Sequence, residues 1–404
     1  MKTPLKLALL LPGLWRGGAE RRAAFLAGAM RQRGHEAEVF VLQAPEPGDR
    51  SFLPEFAEAG VPVRDLGYGG VRWPPAWPRT FRAFARLRRE LKRFRPDVLH
   101  AFLPSGNIFA AGTLATLMPS SRPALLFSRE GLPTYRQTRP SLGWMEDFAS
   151  RRADATVCVC RAIALAVEQA PRGSWHRELR VILNGVEADR FARSPEAKTQ
   201  ARTDLEARFP PLKVASRVAV VVANLIPYKG HADILDALAK LQASGRAEGL
   251  AFVFVGGDPL GWRAELERRV EALSLRERVF FAGGVEDARP WLWGADLCVS
   301  ASHEEGLSLA ILEAMSAGLP VVASEVGGTP EILDDSFALS FPAKNPDALA
   351  DALAQALAWP EDDWRRRGEA AIALCQEKFS ARRMADETEA LYRELAERRN
   401  KGRV

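Results

Sequence analysis

Four cysteines in 404 residues are too few and too scattered for a disulfide framework. Cys158 and Cys160 alternate in "ATVCVC", so on a strand they share a face, where free cysteine behaves as a small buried hydrophobe. The expected compartment is therefore the reducing cytosol. Long apolar runs are also missing. No stretch approaches the ~20 residues that cross a bilayer. The opening "MKTPLKLALLLPGLWRGG" has a short apolar part that stops at Pro12-Gly13, with no small-residue cleavage pattern; it reads as a first buried strand and a glycine loop rather than a leader. Solenoid repeats and low-complexity tracts are absent. So is the GxGxxG dinucleotide fingerprint, and the next acids, Glu36 and Glu38, open a strand instead of closing one, which speaks against a nicotinamide dehydrogenase. The charge excess is small: a net +5 and a pI near 9.1 hint at anionic partners, and no nucleic-acid partner is expected.

What is present is alternation. The apolar fraction of 47% is globular, and the length suits two domains of about 150 to 200 residues. "LKLALLLPG", "EAEVFVLQ", "PDVLHAF", "ALLFSRE" and "ATVCVCR" read as strands separated by helical segments. After a Pro-, Arg- and Ser-rich region at 171–215 comes a second series: "RVAVVVANL", "LAFVFVGG", "RVFFAGG", "ADLCVSAS" and "LPVVASE". Strands alternating with helices predict parallel sheets with crossover helices. The fold class is thus α/β, with two doubly wound Rossmann-like halves at 1–174 and 175–379. A terminal helix over 380–404 starts at a Ser cap.

Open α/β sheets bind ligands beyond the carboxyl ends of their strands, so the loops after strands carry the candidates. Gly17 and Gly18 in "LPGLWRGGAER" let backbone N–H groups approach a phosphate at a helix start, although an ordinary tight turn uses the same residues. His100 closes "PDVLHAF", where it would reach into a cleft; a structural histidine would fit there too. Lys229 in "VANLIPYKGH" follows a strand and can place a point charge on phosphate oxygens. Asn184-Gly185 is a turn signal, and "FVFVGGDPLGW" is a strand with a glycine turn.

The most informative stretch is "HEEGLSLAILEAMSAGLP". Glu305 stands at its head, and Glu313 sits among Leu309, Ile311, Leu312 and Met315, where a carboxylate needs partners. With a helix starting near Leu307, the eight residues between the two acids rise roughly 12 Å, close to the span of a nucleotide sugar. The N–H groups at Gly306, Leu307 and Ser308, with the positive end of the helix dipole, suit a diphosphate between them. Each carboxylate can accept a pair of hydroxyl hydrogen bonds.

The Glu305-to-Glu313 spacing within "SHEEGLSLAILEAMSAGLPVVASEVGGTPEIL" resembles the E-x7-E signature of glycosyltransferase family 4, a retaining GT-B group. "GGAER", "PDVLH", "VILNGVEADRF", "YKGH", "FVGGDP" and "ADLCVSAS" occur in that family's order. The resemblance implies two Rossmann-like domains facing a cleft: an acceptor-side domain at 1–174, a donor domain at 175–379, and a terminal helix that returns to the first. It implies that Glu313 binds the donor ribose and Glu305 the sugar ring near its 3-hydroxyl. Lys229 would hold the diphosphate and assist the leaving group, Gly17 and Gly18 would approach from the other side, and His100 would face the donor sugar. The family commonly carries an arginine five positions before the lysine. Here Asn224 stands there, able to donate hydrogen bonds but bringing no charge.

By that resemblance the chemistry is retaining transfer from a nucleotide-diphosphate sugar, UDP-linked by family frequency, to a glycan, lipid-linked or envelope-polysaccharide acceptor. No DxD motif follows a strand, so neither a catalytic metal nor any other cofactor is expected. A nucleotide-sugar epimerase on the same fold, or a non-catalytic sugar-nucleotide binder, would share these residues. One more segment stands out. "VRWPPAWPRTFRAFARLRRELKRFRPD" combines Trp73 and Trp77 with a helix from Arg79. Its apolar face is Phe81, Phe84, Leu87, Leu91 and Phe94, and its other face carries eight basic residues against Glu90. A crossover helix with a solvated basic side would look like this. So would a helix that meets anionic lipid from the cytoplasmic side through residues 79–95.

Overall fold

The computed structural model describes residues 3–46, 49–68, 77–170 and 175–401. The chain divides into two compact units: Met1–Asn184 with Arg383–Val404, and Gly185–Arg382. The first division thus falls at Asn184/Gly185, not after residue 174. The physical reason is a short strand within the Pro- and Arg-rich region, which pairs with the first sheet.

The first unit is built on seven parallel strands: β1 (Lys6–Leu11), β2 (Glu36–Val41), β3 (Val63–Asp65), β4 (Val98–Phe102), β5 (Ala124–Arg129), β6 (Ala155–Cys158) and β7 (Leu179–Val181), in the order β3-β2-β1-β4-β5-β6-β7. The central strands are apolar without interruption because helices cover both faces; all five residues of β4 are buried. One face packs against the helix Gly18–Gln32 and the terminal helix Ala381–Lys401, whose Met384, Leu391, Tyr392 and Leu395 join Leu7, Leu9 and Leu26 in one core. The other face is covered by the helices Trp77–Phe94, Leu103–Ala115 and Pro140–Ser150, through Leu87, Leu91, Phe109 and Ala149.

The second unit has six parallel strands: β8 (Arg217–Val222), β9 (Leu250–Val255), β10 (Val279–Gly283), β11 (Leu297–Ser300), β12 (Val321–Ser324) and β13 (Ala338–Phe341), in the order β10-β9-β8-β11-β12-β13. The order reverses between β8 and β11, which pair at Ala219↔Leu297 and Cys298↔Val220. Asn184-Gly185 does not form a turn and lies in the loop after β7. Just beyond it, the Val186 N–H donates to the Phe379 carbonyl at 2.8 Å and the Ala381 N–H to the Val186 carbonyl at 3.0 Å. A Cβ on Gly185 would lie 2.5 Å from the Ser380 carbonyl oxygen, so this close passage of two backbones requires glycine. All four cysteines are free and buried. Among the described residues no helix is long and apolar enough to cross a membrane.

Candidate functional site

In the second unit the loops after β8 and β11 meet at the point where the strand order reverses, the position where doubly wound sheets bind ligands. After β8 the chain makes a single turn at Pro227–Lys229 and leaves through Gly230 at φ 69°. There a Cβ would sit 1.9 Å from the Ala301 carbonyl oxygen, so only glycine lets this loop lie on the end of β11. The His303 N–H donates to the Tyr228 carbonyl at 2.7 Å and ties the two loops together. The result is a direct contact between two predicted site residues: Lys229 Nζ donates to Glu305 Oε1 at 2.6 Å, with both side chains mostly buried. Ser302 Oγ donates to the same carboxylate oxygen at 2.7 Å. Ser302 closes the apolar run "ADLCVSAS", and nothing in its spacing singles it out.

The helix that follows is Leu309–Ser316, capped by Ser308, whose hydroxyl accepts from the Ile311 N–H at 3.4 Å. It starts two residues later than the sequence pattern suggests. Gly306 and Leu307 therefore lie in the approach loop, buried, and the Gly306 carbonyl accepts from the Gly328 N–H at 2.8 Å. The 12 Å helical separation of the two acids does not hold, because the chain turns before it enters the helix. Glu313 is 2% exposed among Ile311, Leu312, Ala314 and Met315, at the depth its apolar flanks demand. Asn224 also has a defined place. Its Oδ1 accepts the Gly257 N–H at 3.0 Å, which joins the loop after β8 to the glycine turn after β9. The residue is exposed, and its amide NH2 remains a hydrogen-bond donor.

The first unit places its own candidates around β1 and β4. Gly17 caps the helix Gly18–Gln32, and Gly18 is its exposed first residue. The Glu20 carboxylate folds back over this turn: a Cβ on Gly17 would meet Glu20 Oε2 at 2.4 Å. Burial pushes the Glu20 carboxyl up to about 7, its backbone hydrogen bond opposes the shift, and the nearby Glu130 adds to it. Sequence reasoning missed Glu20, although its place three residues after Gly17 is the capping-box position. Two residues further on, Arg22 is fully buried, with Nη1 donating to Ser128 Oγ at 2.9 Å and to Glu130 Oε1 at 2.8 Å.

His100 requires a correction. It is the middle residue of β4, not the residue past its end, and is 1% exposed. Its Nδ1 lies 2.7 Å from the Tyr392 hydroxyl of the terminal helix, and its ring packs 4.2 Å from Phe102. Burial, with Arg22 adding to it, holds the imidazole well below its ordinary pKa, so it is neutral and walled in. A strand read from apolar residues ends where the apolar run ends; here Ala101 and Phe102 continue it.

The basic helix divides as expected, with one exception. Ala83, Leu87, Leu91 and Phe94 are buried, and Phe84 stacks on Phe109 at 4.4 Å. Phe81, assigned to the same apolar face, is instead 65% exposed. Some of the basic residues are engaged: Arg93 pairs with Glu38 and Glu90, and Arg86 donates to the Leu66 carbonyl at 3.2 Å. Arg79, Arg82, Arg88 and Lys92 are exposed and make no ion pair among the described residues. Trp73 and the side chain of Trp77 lie outside the described residues.

Comparison with known proteins finds glycosyltransferases along most of the chain. The family profile Glycosyltransferase Family 4 matches residues 16–190, and Glycosyl transferases group 1 matches residues 216–358. The chain is 26% identical over 301 residues to the putative teichuronic acid biosynthesis glycosyltransferase TuaC of Bacillus subtilis, covering 73% of this chain and 70% of that protein. It is 28% identical over 314 residues to the lipopolysaccharide core biosynthesis glycosyltransferase LpsE of Rhizobium meliloti, covering 77% of each. Among solved structures, Anabaena HepE in complex with UDP and glucose superposes with a TM-score of 0.81 at 20% identity, over 96% of this chain and 99% of that one. Sucrose-phosphate synthase from Thermosynechococcus elongatus gives 0.79 at 19%, over 97% and 99%. At such identities the superpositions speak to the fold, which is GT-B.

Proposed function

We propose that the chain, as a GT-B glycosyltransferase of this kind, moves a sugar, with retention of anomeric configuration, from a nucleotide-diphosphate sugar to a glycan or lipid-linked acceptor of the cell envelope. The observation that carries this reading is the contact of Lys229 with Glu305 at the strand switch point, with Glu313 buried one helix turn beyond the Ser308 cap. Departure of a nucleoside diphosphate builds negative charge on the leaving oxygens, so preorganised cations and N–H donors contribute most. Lys229 supplies the cation, and the start of the helix Leu309–Ser316 supplies donors. Glu305 accepts hydroxyls of the sugar, Glu313 those of the ribose, and Asn224 donates its amide to the phosphates. The leaving phosphate itself takes the acceptor proton, and the reaction needs no metal.

A UDP-sugar is the first donor to test, since UDP is the nucleotide named with the neighbour HepE. An envelope acceptor is supported by what the relatives TuaC and LpsE are named for. Such an acceptor brings the protein to a membrane surface, and the unpaired Arg82, Arg88 and Lys92 on the helix Trp77–Phe94 fit anionic headgroups. A thermal-shift series with UDP, GDP, ADP and their sugars tests the donor, because a bound ligand raises the melting temperature by mass action. Anomeric analysis of the product then tests retention. Stabilisation by none of them would remove the donor assignment, and C2 inversion without any acceptor-dependent product would move the protein to the epimerases of this fold.

A further inference from the structure

We propose that the helix Pro140–Ser150 is a membrane-docking element whose outward aromatic side chains enter the headgroup–acyl boundary of an anionic bilayer. Its composition is inverted relative to a helix on a soluble surface. The two carboxylates face inward: Glu146 is fully buried and accepts from Arg129 and, at 2.8 Å, from Asn107 Nδ2, while Asp147 accepts from Arg136 Nη1 at 3.0 Å. The outward face carries Trp144, Met145 and Phe148, exposed by 52%, 42% and 42%. The two aromatic rings stack against each other at 5.9 Å and 12° rather than against the core. Exposed apolar clusters of this kind mark a partner surface.

The charges around the cluster identify the partner. Arg139, Arg151 and Arg152 are exposed and make no ion pair among the described residues. Arg152 lies 5.3 Å from the Phe148 ring, and Arg151 lies 3.5 Å over Trp175. With both acids turned inward, the outer face carries no carboxylate. Aromatic rings with arginines beside them, and no carboxylate on the same helix face, match the interface of an anionic membrane. A glycan platform would instead need hydroxyl acceptors beside the rings. This helix and the basic helix Trp77–Phe94 cover the same face of the first sheet. The inference rests on the reading that the protein works at a membrane surface, and it assigns the apolar part of the contact to Trp144 and Phe148.

The two contributions separate by salt, which screens headgroup attraction and leaves apolar insertion in place. Vesicles of phosphatidylcholine with one quarter phosphatidylglycerol are the probe, at low salt and at about 0.5 M NaCl, where the screening length is only a few ångströms. Trp144→Ser with Phe148→Ser, both at exposed positions, is expected to abolish co-sedimentation at high salt and to lower partitioning at low salt at least about tenfold, with an unchanged melting temperature. Arg82→Glu with Arg88→Glu and Lys92→Glu is expected to weaken only the low-salt binding. Because all native cysteines are buried, Phe148→Cys can be labelled selectively with bimane, and vesicles brominated on the acyl chain should quench it. Equal binding of the Trp144/Phe148 variant and the wild type at both salt levels overturns the proposal while the basic-helix reading stands. An unquenched label on vesicle-bound protein overturns it in the same way. Wild-type protein that ignores every vesicle removes both readings. Loss of retention on immobilised dextran, with vesicle binding intact, would make the patch a glycan platform instead.

Discussion

Replacing Glu20 with Gln tests how the turn at Gly17 is built. The carboxylate lies over that turn, and burial raises its pKa from 4.5 to about 7. The folded protein therefore holds a proton on Glu20 that the unfolded chain releases near 4.5, so stability falls as pH rises through that window. At about 1.4 kcal/mol per pH unit, the gap between 4.5 and about 7 corresponds to about 3.5 kcal/mol. Partial solvent access at the helix start reduces this to about 2 kcal/mol. Glutamine keeps the shape and the acceptor oxygen and carries no charge, so it escapes the penalty. Urea unfolding should show the variant and the wild type equally stable near pH 4.5, diverging to about 2 kcal/mol in favour of the variant by about pH 8. A variant no more stable at high pH, or a stability difference that ignores pH, would refute the buried, proton-holding carboxylate.

Lys229→Ala should lower kcat by roughly 10²–10³-fold while changing donor affinity far less, because leaving-group charge grows in the transition state; lost affinity at unchanged turnover in a steady-state assay would reassign the lysine to plain binding. Glu313→Ala should weaken nucleotide binding by about 1–3 kcal/mol, the cost of leaving ribose hydroxyls unpaired in a desolvated site. Calorimetry giving wild-type affinity would count against the ribose assignment. Transfer should survive EDTA, and chelator-abolished activity restored by magnesium or manganese would end the metal-free reading.

Much of the fold was legible, and the strands that were not share a cause. Three strands escaped the sequence pattern: β3 "VRD", β7 "LRV" and β13 "ALSF", all at sheet edges. A central parallel strand is buried on both faces and must be apolar throughout. An edge strand of three or four residues is half-exposed and spells no such run. The missed β7 is also why the unit boundary was placed too early.

The placement of the candidate residues was legible where chemistry dictates residue type and obscure where the backbone does the positioning. Glu313 among its apolar flanks, and Lys229 beside Gly230, both follow from residue type. The hydrogen bond from Ser302 to Glu305 does not, nor does the Glu20 carboxylate over Gly17. Asn224 shows how far residue type can carry. Read as a missing arginine, it is only the loss of a charge, yet its side chain joins the loops after β8 and β9. That leaves Lys229 as the cation of the pair at the switch point, already held by Glu305 at 2.6 Å. On the proposed roles, a diphosphate arriving there would compete with Glu305 for the same ammonium, while the donor would bring sugar hydroxyls for Glu305 to accept. Glu305 and Lys229 should then respond together. In a double-mutant cycle, the losses on donor binding from Glu305→Gln and Lys229→Ala should fall short of additive, since removing either partner already dissolves the resting pair.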